Sequence, residues 1–181
     1  LKTITLALIV TLAATVASAF VVKPAARNDP AEKMTRARAL KGLKGCAKRP
    51  RDIDCNEMSA DFLIDLYLRG RGDARVLKAL LDAQPHSDGA LSESLGTFYA
   101  QMLEKRPRVF LRAIAGRPSK ERRGLCSLAG GTDGGGMSDA MLRSVRANLR
   151  RISRERGTRL APVARACWAE ASAADRHAKS Q

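Results

Sequence analysis

Aromatic side chains are scarce in this 181-residue chain, which holds four Phe, two Tyr and one Trp. Grooves that grip single-stranded nucleic acid stack successive bases on aromatic rings, so nucleic acid is disfavoured as a partner. Histidine is scarcer still, with only His86 and His177. The cysteines are four, Cys46, Cys55, Cys126 and Cys167, and they form no C-x-x-C pair. That spacing does not make a zinc site, and no metal or other cofactor is expected. Beyond residue 20 no stretch approaches the ~20 apolar residues of a membrane span. No segment alternates polar and apolar residues as a half-buried strand does. Acidic residues are outnumbered, 18 against 33 Lys and Arg, for a net charge of +15 at pH 7.

Residues 1–19 read as a cleaved secretory signal. Lys2 is followed by an apolar run from Ile4 to Ala17 that only Thr5, Thr11 and Thr15 interrupt, and Ala17-Ser18-Ala19 offers a small-x-small cleavage site. The expected location is therefore periplasmic or secreted. Four cysteines in an exported chain favour two disulfides, for which three connectivities exist. Cys46–Cys55 with Cys126–Cys167 is preferred: the first closes a short loop around Pro50, and the second ties two late helices together. In the loop-entropy treatment they contribute roughly 2.6 and 3.9 kcal/mol respectively.

Residues 20–57 read as a basic, loosely ordered arm, with Pro24, Asn28, Asp29 and Pro30 opposing regular structure, a short basic helix near 31–43, and the cysteine loop. A helical domain is expected over 58–172, and residues 173–181 form a polar tail. Within the domain Ser59 is expected to cap a helix carrying Phe62, Leu63, Leu66 and Tyr67. Asp73 caps a second helix, with Val76, Leu77, Leu80 and Leu81 on one face. A third, from about Asp88 to Lys105, groups Leu91, Leu95, Phe98, Tyr99 and Met102. Pro107 opens a fourth, with Val109, Phe110, Ala113 and Ile114 facing inward. Ser119 opens a fifth, with Leu125, Cys126 and Leu128. Ser138 opens a sixth, with Leu142, Val145, Leu149 and Ile152. The last starts near Thr158 and carries Val163, Cys167 and Trp168. The class is all-α: a compact array of six to seven short helices stapled by two disulfides.

The segment Arg75–Pro85 aligns without gaps to Arg108–Pro118, and each copy follows an aromatic-bearing helix. An offset of this size is typical of stacked helix pairs, so two solenoid-like repeats are a candidate arrangement beside a chance match of common residues.

Basic charge is concentrated in residues 20–57, 104–123 and 137–168, while 58–103 is mildly acidic. At 100° per residue Arg143, Arg146, Arg150 and Arg154 share an arc about 80° wide, apart from the apolar stripe of the same helix. Guanidinium groups hold phosphate and carboxylate bidentately, which makes this ridge the candidate anion-binding site. Its alternative is a solvated face whose arginine stems cover apolar surface. The glycine-rich stretch 130–136 leads into a helix but lacks the Gly-Lys-Ser/Thr of a nucleotide-binding loop. It reads either as an anion nest or as an interhelical connection.

No catalytic set emerges. His86 beside Ser87 and Asp88 reads as a turn and cap. Glu93 is the one candidate acid for glycan hydrolysis, yet no second carboxylate is spaced to serve it. The function that follows is an exported, non-enzymatic helical interaction module. Its basic helix face would bind an anionic envelope polymer such as lipopolysaccharide or teichoic acid, or an acidic protein. A cell-wall hydrolase using Glu93 is the alternative.

Overall fold

The computed structural model describes residues 34–48, 57–87, 89–130 and 137–178. The expected signal at 1–19, residues 20–33 of the expected arm and most of the glycine-rich stretch lie outside them. So do Cys55 and the Cys46 side chain, and with them the first expected disulfide. All described helices belong to one compact unit, Met34–Gln181.

Eight α-helices and one 3-10 turn make up the described secondary structure. They are α1 (Arg36–Lys48), α2 (Glu57–Leu68), α3 (Ala74–Ala83), a turn at Gln84–His86, α4 (Gly89–Lys105), α5 (Pro107–Ala115), α6 (Ser119–Gly130), α7 (Asp139–Ser153) and α8 (Ala161–Ala178). The chain is all-α over these residues. None of the described helices is long and apolar enough to cross a membrane.

Local chemistry sets most of the boundaries. The Asp73 carboxylate accepts hydrogen bonds from the amides of Arg75 and Val76, and the Ser138 hydroxyl accepts from that of Met141. Each satisfies amide donors that the first helical turn leaves orphaned. Helix α2 ends in a Schellman motif: the Gly70 amide donates to Tyr67, the Arg71 amide to Leu66, and Gly70 takes a φ of 76°. Glycine suits that left-handed position because it has no Cβ to clash. Pro107 sits in the first turn of α5, where its missing N–H costs nothing.

Two groups of helices pack around α4. Helices α1, α2 and α3 form one, and α6, α7 and α8 the other; α4 touches α2, α5, α6 and α7. The few aromatics are concentrated there. Phe98 lies 5.7 Å from Tyr67, ring centre to ring centre, in an edge-on pair, and Tyr99 bridges Phe98 and Phe110 at 5.8 and 5.6 Å. Tyr99 is fully buried and donates its hydroxyl to the Leu80 carbonyl at 2.8 Å. Burial pushes its phenol far above the ordinary value.

The α6–α8 contact is built differently. Ala164, Cys167 and Ala171 of α8 are fully buried, facing Cys126, Ala129 and Gly130 of α6. Small residues let the two backbones approach until Cys126 and Cys167, with Cα atoms 4.9 Å apart, form a disulfide. A Cβ added to Gly130 would fall inside the van der Waals envelope of the Ala171 Cα and Cβ.

Polar ties join the groups. Asn148 of α7 donates its side-chain amide to the carbonyls of Leu103 and Glu104, at 3.1 and 2.9 Å, and so caps the C-terminus of α4. Arg122 donates to the carbonyls of Ala115 and Arg117 at the end of α5. Arg36 of α1 pairs with Asp73, and Arg117 pairs with Asp82 of α3 at 2.6 Å. Hydrogen bonding to Arg36 holds the Asp73 carboxyl below its ordinary value. Burial opposes ionisation of Asp82, but hydrogen bonds from Lys78 and Arg117, with their charges, hold its carboxyl below the ordinary value too.

Several expectations need correction. The helical domain begins before residue 58, because α1 buries Ala39 and Leu43 in the core against α2 and α3. Leu40, partly buried, packs against the core beside them. The expected polar tail is helical as far as Ala178, since α8 continues through it. Ser59 does not cap α2 but lies inside it, and its buried hydroxyl has no hydrogen-bond partner. In α5, Leu111 is buried where Val109 is exposed, and in α8 Trp168 is exposed. Helix α8 starts at Ala161, with Thr158 in the preceding turn. The two aligned segments are the helices α3 and α5 with the residues that follow. The tie between them is the Arg117–Asp82 ion pair, and α3 against α5 is not among the principal packings.

Three outcomes follow. Gly130→Ala forces α6 off α8 and should lower stability by about 1–3 kcal/mol, read as a reduced denaturant midpoint. Replacing Cys126 and Cys167 together by Ser should cost about 4 kcal/mol, because the bridge closes a span of 41 residues. The Asp82 carboxyl is lowered on folding, so its contribution is present above the ordinary carboxylate pKa and is lost as pH falls through the native value. Because its side chain is 42% exposed, solvent screening limits the effect to below about 1 kcal/mol. Asp82→Asn should correspondingly flatten the loss of stability between about pH 5 and pH 2, measured by denaturation at each pH.

Candidate functional site

A concavity with converging charge lies where α7 hands over to α8. Its volume is about 770 Å³, and Arg150, Ser153, Arg154, Glu155, Arg156, Gly157, Thr158, Ala161, Pro162, Arg165 and Trp168 line it. The wall on one side is the last turn of α7. There Leu142, Val145, Leu149 and Ile152 are buried, and this inward stripe turns Arg150 outward. Arg154 follows the helix as its C-terminal cap residue. Gly157, at φ 75°, allows the chain to reverse. The opposite wall is the start of α8. Its inward face is taken by Ala161, Ala164, Cys167 and Ala171, so Arg165 and Trp168, one turn apart on another face, open onto the cleft.

Electrostatically the cleft sets four arginines against one carboxylate. Glu155 is already engaged: its Oε1 accepts from Arg108 at 2.6 Å and from Arg151 at 3.5 Å. Arg165 reaches across to the Ser153 carbonyl at 3.5 Å. Among the described residues no carboxylate pairs with Arg150, Arg154 or Arg156, and each of these residues is exposed. Part of this charge serves α7 itself, since cations near a helix C-terminus offset its negative dipole end. The rest is uncompensated and solvent-facing. Two buried oxygens on the same wall, Glu155 Oε2 and Thr158 Oγ1, have no hydrogen-bond partner.

A second, smaller cleft of about 180 Å³ runs beside the disulfide between α6 and α8. Its cations are already engaged: Arg122 serves the carbonyls of Ala115 and Arg117, and Arg123 faces Glu170 of the same cleft at 4.0 Å. The α7–α8 cleft is therefore the better candidate for an external anion.

The structure divides the expected arginine ridge. Arg150 and Arg154 enter the cleft, whereas Arg143 and Arg146 lie further back along α7, outside it. Glu93 is exposed on α4 and lines neither cleft. His86 ends the turn before α4, and Ser87 closes that turn by donating its hydroxyl to the Gln84 carbonyl. His177 has no described side chain. The displaced titrating groups Asp73, Asp82 and Tyr99 belong to the ties between helices rather than to the cleft. Arg165 and Trp168 line the cleft but were not among the expected site residues. Their signal was the small-residue spacing of Ala164, Cys167 and Ala171, which marks the inward face of α8 and places both elsewhere.

No family model, curated protein or solved structure matches the chain. Function therefore rests on the residues themselves.

Proposed function

We propose that this chain is an exported, non-enzymatic helical module that binds anionic groups of envelope polymers or acidic proteins through the α7–α8 cleft. One observation carries the reading. Arg150, Arg154, Arg156 and Arg165 converge on a single concavity whose one carboxylate is occupied by two other arginines. Guanidinium groups are planar, permanently charged and suited to forked contacts with phosphate and carboxylate. A concave wall strengthens their field by excluding water on one side. The Cys126–Cys167 bond supports an oxidising compartment, periplasmic or extracellular, since such bonds persist there and are rare in the cytosol.

The test compares two fourfold Arg→Gln variants on immobilised heparin and lipopolysaccharide. The cleft set, at 150, 154, 156 and 165, should lose most of its retention. The ridge set, at 143, 146, 150 and 154, should lose about half as much additional retention beyond a charge-matched control, because it removes two of the four cleft guanidiniums. Retention of the parent chain should fall as salt rises, since screening acts over about 10 Å at 0.1 M. Equal retention of the cleft set and the parent chain at low salt would exclude the reading. A partner held undiminished at high salt would point to apolar contact instead.

A further inference from the structure

The anion site carries a feature that anion binding does not need. Tyr67, Phe98, Tyr99 and Phe110 are buried and Phe62 is partly so, leaving Trp168 as the exposed aromatic among the described residues, at 39%. A chain this poor in rings places its single indole on the wall of the arginine cleft, next to Pro162 and Ala161. Leaving part of so large an apolar surface in water forgoes burial energy. The indole there forms a flat apolar platform one helical turn from Arg165.

The wall also holds unsatisfied oxygens. Glu155 Oε2 and Thr158 Oγ1 are buried, unpartnered oxygens of two residues that line the cleft. A buried oxygen without a partner is costly, and a ligand hydroxyl that reached it would relieve that cost. A bare polyphosphate offers no ring face to Trp168. A ligand matching all three elements carries an anionic group, a flat apolar ring face and hydroxyls. Single-stranded DNA matches the first two and RNA all three, but both call for a succession of aromatic platforms, and this cleft holds one.

Resting on the anion-binding reading, we propose that the α7–α8 cleft receives an acidic sugar. Its phosphate or carboxylate lies on Arg150, Arg154 and Arg165, its pyranose face lies on Trp168, and a hydroxyl donates to Glu155. The neutral part of the ligand thus selects among anions that the arginines alone would bind alike.

The experiment titrates the full chain by calorimetry at low salt with trigalacturonic acid, maltotriose, inorganic tripolyphosphate and a thymidylate trimer. Trigalacturonic acid should bind and quench the single-tryptophan fluorescence, and maltotriose should bind far more weakly. Trp168→Ala should weaken trigalacturonic acid about tenfold, with part of the loss restored in Trp168→Phe, and leave tripolyphosphate unchanged. The double change R150Q/R154Q should weaken both anions. Circular dichroism melts establish that each variant is folded, and Trp168→Phe serves if Trp168→Ala is not. Arginine-dependent tripolyphosphate binding without trigalacturonic acid binding, or without any effect of Trp168, overturns the sugar and leaves the anion reading standing. Failure of both anions to bind overturns both readings. Tighter, tryptophan-quenching binding of the thymidylate trimer overturns the sugar in favour of nucleic acid.

Discussion

The close approach of α6 and α8 is the constraint on which the architecture turns. Both helices present small residues to one another, Cys126, Ala129 and Gly130 against Ala164, Cys167 and Ala171. Dispersion contacts are individually weak, and side chains this small contribute little apolar area. The contact holds because the backbones meet without a gap and a covalent bond joins them. Once α8 is seated, α7 has a second surface to pack on besides α4. The turn between α7 and α8 must then reverse within a few residues. Arg150, Arg154, Arg156, Arg165 and Trp168 converge because that reversal is tight, so the cleft depends on a contact made on the far side of α8.

The other half of the molecule is held by more conventional means. Helix α4 gathers nearly all of the aromatic volume, and the helices around it are pinned by arginines used as long polar struts. Arg117 and Arg122 fasten α3, α5 and α6 to one another. A strongly cationic chain tends to repel itself when compact, and each of these arginines is matched to a carboxylate or to the negative end of a helix. Arg150, Arg154 and Arg156 face no carboxylate among the described residues. The contrast between employed and idle guanidinium groups, more than the count of either, singles out the candidate cleft.

Much of the fold was legible in the residues. The stripe of Leu142, Val145, Leu149 and Ile152 is buried along α7, Asp73 and Ser138 cap their helices, and Cys126 pairs with Cys167. These succeed because periodicity, capping and cysteine parity are local or nearly local signals. A basic helix was expected near 31–43, but its docking into the core was obscured because its buried residues, Ala39 and Leu43, are surrounded by lysines and arginines that dominate any average over the segment. Ser59 misled because a serine before an apolar run is a cap only if the helix begins there, and this one begins earlier. The site was half legible. Spacing along one helix found Arg150 and Arg154, but Arg165 and Trp168 belong to another helix whose rotation is set by its contact with α6. The link from Glu155 to Arg108 spans 47 residues and leaves no trace in local pattern.

The bridge between Cys126 and Cys167 also has a topological side. With the intervening backbone it forms a closed covalent ring that contains the whole of α7 and the reversal into α8. A protease that severs the chain once anywhere within this ring opens a loop but frees no fragment. Both pieces stay tethered through sulfur. An arginine-rich chain offers trypsin-like enzymes many places to cut, and in an environment that contains them a nicked molecule would still carry both walls of its cleft until a reductant arrived.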